Sequence, residues 1–152
     1  MTSESRNPVN LTEKEIIELR DKSGVVLFYM NNCGYCEMLK PAWNKVVTEI
    51  KKLNNKDFII GAIESSNMEK FNKSGHSISI SGFPTILYFS NTSKDKDMYN
   101  GDRNVEDLKK WIVSKMEKPM RGGGKTKKRK TKVKKTRKYL KRKSLKTRKY
   151  RK

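Results

Sequence analysis

The sequence is poor in reactive and structure-breaking residues: two cysteines (Cys33 and Cys36), one histidine (His76) and four prolines among 152 residues. Two cysteines cannot supply the several bridges of a disulfide-stapled scaffold. With His76 they fall one short of the four ligands that structural zinc takes, so no metal is expected. No apolar run reaches the roughly 18 residues of a transmembrane helix. The polar start, Met1 to Pro8, lacks the apolar segment of a secretory signal, so no such leader is expected. From residue 121 onward there is no acidic residue at all.

Charge is what the chain has in excess. There are 37 Lys and Arg against 16 Asp and Glu, a formal net charge of +21. Residues 121–152 carry 19 of the basic groups, which leaves 18 basic and 16 acidic groups in the first 120 residues. A nearly neutral body is thus joined to a strongly basic tail. The length is that of one domain, and a body of this size can bury a core. The expected organisation is a disordered lead-in over 1–10 and one domain over 11–118. A Pro/Gly hinge over 119–124 and a disordered Lys/Arg-rich tail over 125–152 follow.

Within the body, Thr12-Glu13-Lys14-Glu15 has capping-box spacing and opens a short helix with Ile16, Ile17 and Leu19 on its apolar side. Val25–Met30 is a continuous apolar run, the pattern of a strand buried on both faces. From Gly34 to Leu53 the period is helical, with Met38, Leu39, Ala42, Val46 and Ile50 as the apolar stripe and lysines opposite. Pro41 lies inside it and predicts a kink. Phe58–Ile63 and Thr85–Phe89 read as further strands, 67–73 as a helical turn or two, and 97–100 as a short edge strand. Asn104, with Asp107 three residues on, caps a last helix carrying Val105, Leu108, Trp111, Ile112 and Met116. Strands alternating with helices predict an α/β sheet with parallel pairing.

Cys33-Gly34-Tyr35-Cys36 falls where the first strand turns into the long helix. A structural bridge there would close a tiny loop and constrain little. Two inert buried thiols are the plain alternative, and a redox couple is the other. The position favours the couple. At the first turn of a helix, unsatisfied N–H groups and the macrodipole favour an anion, which predicts a lowered pKa for Cys33. Cys36, three residues on, shares its face and can resolve a mixed disulfide on Cys33. Gly34 is expected to permit a tight turn. His76, in Ser74-Gly75-His76-Ser77, reads as a surface residue. Trp43 and Trp111 read as core, and Glu37 and Lys40 as solvated neighbours of Cys36 able to tune it.

The run Phe28-Tyr29, Cys33-Gly34-Tyr35-Cys36, then Leu39-Lys40-Pro41-Ala42-Trp43 resembles a thioredoxin domain of the protein disulfide isomerase type. Gly82-Phe83-Pro84-Thr85 is similar to that family's cis-proline loop. Tyr99-Asn100-Gly101-Asp102-Arg103 with the segment to Ile112 is similar to its last strand and helix. The three landmarks span about residues 10–117. The resemblance implies a thioredoxin fold, a central mixed sheet flanked by helices. It implies Cys33 as nucleophile, Cys36 as resolving thiol, and Gly34, Tyr35, Phe83 and Pro84 as substrate contacts. Pro84 would be cis, against the alternative of an ordinary turn proline. No cofactor beyond a Cys33–Cys36 redox disulfide is implied. Three departures stand out: Leu27 in place of the family's frequent buried acid, Asn32 in place of Trp, and Tyr35 before the second cysteine. They predict slower proton transfer at Cys36, a smaller apolar platform, and a potential between about −270 and −180 mV, nearer the reducing end.

The tail predicts salt-sensitive, sequence-independent binding of a polyanion such as nucleic acid. Lys127, Lys128, Arg129, Lys130, Arg137, Lys138, Arg148 and Lys149 are the candidate contacts, and Tyr139 and Tyr150 can stack on bases. The cluster 127–130 also reads as a nuclear import signal, and the plain alternative is a solubilising tail. A glycine hinge followed by Lys/Arg/Thr repeats resembles, in composition, tails on proteins of large DNA viruses. The expected function is a thiol–disulfide oxidoreductase of protein substrates, monomeric and tethered by its tail. A catalytically weak binding or virion module is the alternative. With neither a leader nor a retention motif at Lys149-Tyr150-Arg151-Lys152, cytoplasm, nucleus or virion is the expected location.

Overall fold

The computed structural model describes residues 7–94 and 96–117. The hinge and the tail, with every basic candidate from Lys127 to Lys149, lie outside the described residues. The elements in chain order are α1 (Glu13–Glu18), β1 (Ser23–Tyr29), α2 (Gly34–Lys52), β2 (Phe58–Glu64), α3 (Met68–Phe71), β3 (Thr85–Phe89), β4 (Lys96–Met98) and α4 (Val105–Met116).

The four strands form one sheet in the order β2-β1-β3-β4. β1 runs parallel to β2, with Val25 opposite Ile60 and Leu27 opposite Ala62. β3 pairs antiparallel with β1, and β4 with β3. The sheet is therefore mixed, and the parallel pairing expected from helix–strand alternation holds only between β1 and β2. The reason lies in the connection into β3. No long helix crosses over there, and the chain comes back through the 72–84 segment to enter the sheet from the opposite end.

Both faces of the sheet are covered, which is why β1 reads as an unbroken apolar run. Alternate residues sort to the two sides. Val25, Leu27 and Tyr29 join Ile60, Ala62, Ile86 and Tyr88 in a core completed by Trp43, Val46, Val47 and Ile50 of α2 and Leu108 and Ile112 of α4. Val26 and Phe28 face the other way, with Ile59, Ile63, Leu87 and Phe89, against Leu11, Ile16, Leu19 and Phe71. Phe28 meets Phe71 edge-on at 5.4 Å between centroids.

The capping box of α1 is complete. The Thr12 side chain accepts from the Glu15 amide, and the Glu15 carboxylate accepts from the Thr12 amide at 2.8 Å. Asn104 caps α4 more simply, its side chain accepting from the Asp107 amide at 2.8 Å. Pro41 lies within a continuous α2.

Some expectations fail locally. Ile17 and Met38 are exposed, at 54% and 78%. The buried stripe of α2 is Cys36, Leu39, Lys40, Trp43, Val46, Val47 and Ile50, rotated from the one predicted. The lead-in expected to be disordered is, from Val9 on, attached to the sheet. Leu11 donates to the Ala62 carbonyl at 2.9 Å, and Ala62 donates to that of Val9 at 3.0 Å. It covers the outer edge of β2.

Candidate active site

The turn between β1 and α2 brings the two cysteines to the end of the sheet. Asn31 anchors the turn by donating to the Glu64 carboxylate at the end of β2, at 2.5 Å. Asn32 carries the turn's backbone reversal, with φ +60°. Asparagine adopts this left-handed conformation more readily than most residues. Gly34 does not have the role expected of it: its φ is not positive, and a Cβ there would meet nothing within 4 Å. The residue that makes the tight turn possible is Asn32.

Cys33 is the N-cap of α2, and its sulfur accepts a hydrogen bond from the Cys36 amide at 3.3 Å. A sulfur in this position faces the N-terminal end of a 19-residue helix. Cys33 is partly exposed, whereas Cys36 is buried at 1%. Both are free thiols. Burial pushes the Cys36 thiol up from its ordinary value, and its hydrogen bond with Cys33 adds to the rise. The backbone of Met30 and the charge of Lys40 act in the opposite direction. The pair is thus asymmetric: one accessible, helix-capped sulfur lies beside a covered thiol that holds its proton.

The loop before β3 closes the site from the other side. The Phe83–Pro84 peptide bond is cis, and the Cys33 thiol donates to the Phe83 carbonyl at 3.8 Å. Arg103 donates to the Pro84 carbonyl at 3.4 Å, so the Gly101-Asp102-Arg103 stretch backs the proline loop. Phe83 packs against both cores. Pro84 is buried and Gly34 exposed. Tyr35, at 71%, and Met38 project into solvent beside the cysteines, with Met30 at 42%. The fold therefore gathers Cys33, Cys36, Phe83 and Pro84 into one place, with Gly34 and Tyr35 on its rim.

Two polar residues differ from their sequence reading. Lys40 is 4% exposed. Its ammonium contacts the Glu37 carboxylate and the Asn7 side-chain carbonyl at 3.3 Å, and lies 5.5 Å from the centre of the Tyr29 ring. His76 is 8% exposed, stacked on Phe71 at 4.4 Å, on the sheet face opposite the cysteines. Only its position in the fold could reveal this, since its sequence neighbours are polar. Among the described residues, no three His, Cys, Asp or Glu side chains gather as metal ligands, and no helix is long and apolar enough to cross a membrane.

Residues 9–114 match the family model described as Thioredoxin. The chain is 32% identical over 114 residues to Bloodstream-specific protein 2 of Trypanosoma brucei brucei, covering 74% of this chain and 21% of that protein. It is 32% identical over 111 residues to a protein disulfide-isomerase of Drosophila melanogaster, covering 70% and 21%. To human protein disulfide-isomerase A6 it is 30% identical over 110 residues, covering 70% and 23%. The chain thus spans under a quarter of the length of these relatives. Among solved structures, it is similar to zinc-bound human ERp44, with a TM-score of 0.58 at 22% identity, covering 74% of this chain and 31% of that one. It is also similar to the J-Trx1 fragment of ERdj5, with 0.56 at 23% identity, covering 70% and 50%. These two likenesses concern the fold.

Proposed function

This chain belongs to the thioredoxin family, and from that premise we propose that it is a thiol–disulfide oxidoreductase of protein substrates. One observation carries the reading: the partly exposed Cys33 sulfur, capped by the Cys36 amide, sits between a buried thiol and the Phe83 carbonyl. In the reducing direction the Cys33 thiolate attacks one sulfur of a substrate disulfide. The S–S bond breaks, and the departing thiolate takes a proton from water. Cys36 then loses its proton and attacks Cys33, forming the Cys33–Cys36 disulfide and releasing the second substrate thiol. Two electrons and two protons pass to the substrate. The reverse sequence oxidises a dithiol.

The Phe83 carbonyl, the Pro84 peptide, Gly34 and the projecting Tyr35 are the surfaces an extended substrate would meet. The decisive experiment uses Cys36→Ser. With the resolving thiol gone, Cys33 should hold substrates as mixed disulfides, visible as reductant-sensitive adducts on non-reducing gels. Cys33→Ser should show none. Equal behaviour of the two variants sinks the proposal.

Leu27 favours a second reading. It is buried at 1% in the same core as Cys36, so that position offers no carboxyl to carry a proton. A slow couple used as a binding or virion module would follow, and mixed-disulfide resolution far slower than formation would identify it. In either reading the 19 basic residues of the tail tether a monomer to nucleic acid or another polyanion. Equal retention of the full chain and residues 1–118 on DNA as salt rises would remove that role. The proposed compartment, cytoplasm, nucleus or virion, is tested by where the two chains accumulate.

A further inference from the structure

Resolution requires Cys36 to give up a proton in a buried place, and the only charged side chain buried on its own helix face is Lys40. We propose that Lys40 is a positioning residue for the resolving step: its ammonium holds a positive charge against the Cys36 sulfur and stabilises the thiolate as it forms. This rests on the redox reading above and adds a named group to it.

The geometry is set by α2. Residues 36 and 40 are one turn apart on the same face. Side chains on a helix lean back toward its N-terminus, over the preceding turn. Lys40 does this visibly, because its ammonium reaches the Glu37 carboxylate three residues earlier. The Asn7 carbonyl oxygen and the Tyr29 ring hold it from the other sides. The lysine is 4% exposed and Cys36 1%, so water screens little between them. The direction of the effect agrees, since the Lys40 charge lowers the Cys36 thiol against its burial.

Other charged or titratable groups packed against this core are few among the described residues. α2 contributes Cys33 and, at its exposed edge, Glu37; β1 contributes Tyr29, and Tyr99, which follows β4, packs against the core as well. Behind the proline loop, Arg103 is engaged by the Pro84 carbonyl. On β3, Tyr88 faces the same core with the Lys115 ammonium 5.3 Å from its ring centre, and Lys115 is paired with Asp97. Lys40 neither gains nor loses a proton in the step. The Cys36 proton goes to water, the new thiolate attacks Cys33, and the substrate sulfur leaves and is protonated.

The test uses the full chain with 13Cβ-labelled cysteine. The Cys36 Cβ shift is followed from neutral to alkaline pH in wild type, Lys40→Met, Lys40→Arg and Glu37→Gln. Separately, the two kinetic phases with a fluorescent glutathione disulfide are resolved at pH 7. Lys40→Met should raise the Cys36 midpoint and slow resolution about three- to tenfold, with the Cys33 attack phase within about twofold. Lys40→Arg should restore both. Glu37→Gln, at an exposed side chain, should lower the midpoint, because it frees the ammonium from its counter-charge. An unmoved midpoint in Lys40→Met, or in Glu37→Gln should the former not fold, overturns the proposal. So does a Lys40→Arg variant that behaves like Lys40→Met. The titration needs no turnover. If wild type forms no mixed disulfide, the redox reading fails on that result alone, and the midpoint still decides Lys40.

Discussion

His76 gives the chain a pH-dependent stability whose sign and window follow from its surroundings. Its Nε2 lies 2.7 Å from the Ile16 carbonyl. A carbonyl only accepts, so Nε2 carries the hydrogen and Nδ1 is bare in the neutral ring. The bond has a purpose. At the end of α1, Leu19 and Arg20 donate to the Glu15 and Ile17 carbonyls, and His76 serves the one between them. The ring is stacked on Phe71 with a 19° interplanar angle and meets Phe89 edge-on. Burial therefore pushes the imidazole below its ordinary 6.5, helped by the charges of Arg20 and Lys96 and opposed by the Ile16 bond.

The native state thus resists a proton that the unfolded chain accepts. Above pH 6.5 both forms are neutral, and His76 adds no pH dependence. As pH falls through 6.5 the unfolded chain binds the proton first, so stability declines until the folded ring also titrates. One proton sets a ceiling of about 1.4 kcal/mol per pH unit on the slope. The chain has a single histidine, so this window is clean. Glu18 and Glu49, held below 4.5 chiefly by hydrogen bonds from Lys22 and Lys109, act only in more acid solution. The assay is urea unfolding of the full chain at half-unit steps from pH 8 to 5, for wild type and His76→Gln. Glutamine keeps an N–H for Ile16 but loses the stacked ring. At pH 7 the variant should be less stable by about 1–3 kcal/mol. Wild type should lose stability toward pH 5 while the variant stays flat. A flat wild-type profile, or the same slope in both, refutes the account.

Three further outcomes are expected. Asn32→Val, forced to φ +60°, should cost about 1–2 kcal/mol in urea unfolding, whereas Asn32→Gly should be close to neutral. Gly24→Ala should cost about 1–3 kcal/mol by the same measurement, because its Cβ would lie 2.6 Å from both the Ile59 carbonyl oxygen and a Leu19 methyl. Iodoacetamide at pH 7, with peptide mapping by mass spectrometry, should modify Cys33 about tenfold or more ahead of Cys36. The first sulfur is accessible at a helix start, while the second is buried with its thiol pushed up. Equal modification would deny the asymmetry of the pair.

What could be read from the sequence, and what could not, divides along local and non-local physics. The capping box at Thr12, the Asn104 cap, the apolar runs of β1, β2 and β3 and the place of the cysteines at the start of α2 are encoded within a few residues, and they appear as read. The direction of β3 is not local, because it depends on where a connection without a crossover helix re-enters the sheet. His76 was hidden for the same reason: the rings that bury it, Phe71 and Phe89, come from a helix and a strand whose packing its polar neighbours do not announce.

Lys40 is different, because its signal was present. Counting from Cys36, positions 36, 39, 40, 43, 46, 47 and 50 fall on one helical face, and all are buried in α2. The predicted stripe began from Met38 and so rotated the face, which put Lys40 on the side assigned to water. Phasing the helix on Cys36, the residue the proposed redox chemistry requires to be covered, places an unavoidable positive charge in the core one turn away. Burying an ammonium costs several kcal/mol unless partners satisfy it. Glu37, Asn7 and the Tyr29 ring supply such partners. An apolar side chain at position 40 would extend the stripe without needing any of them. That a lysine occupies this place beside the proposed resolving thiol is the pattern expected where charge serves the chemistry rather than the packing.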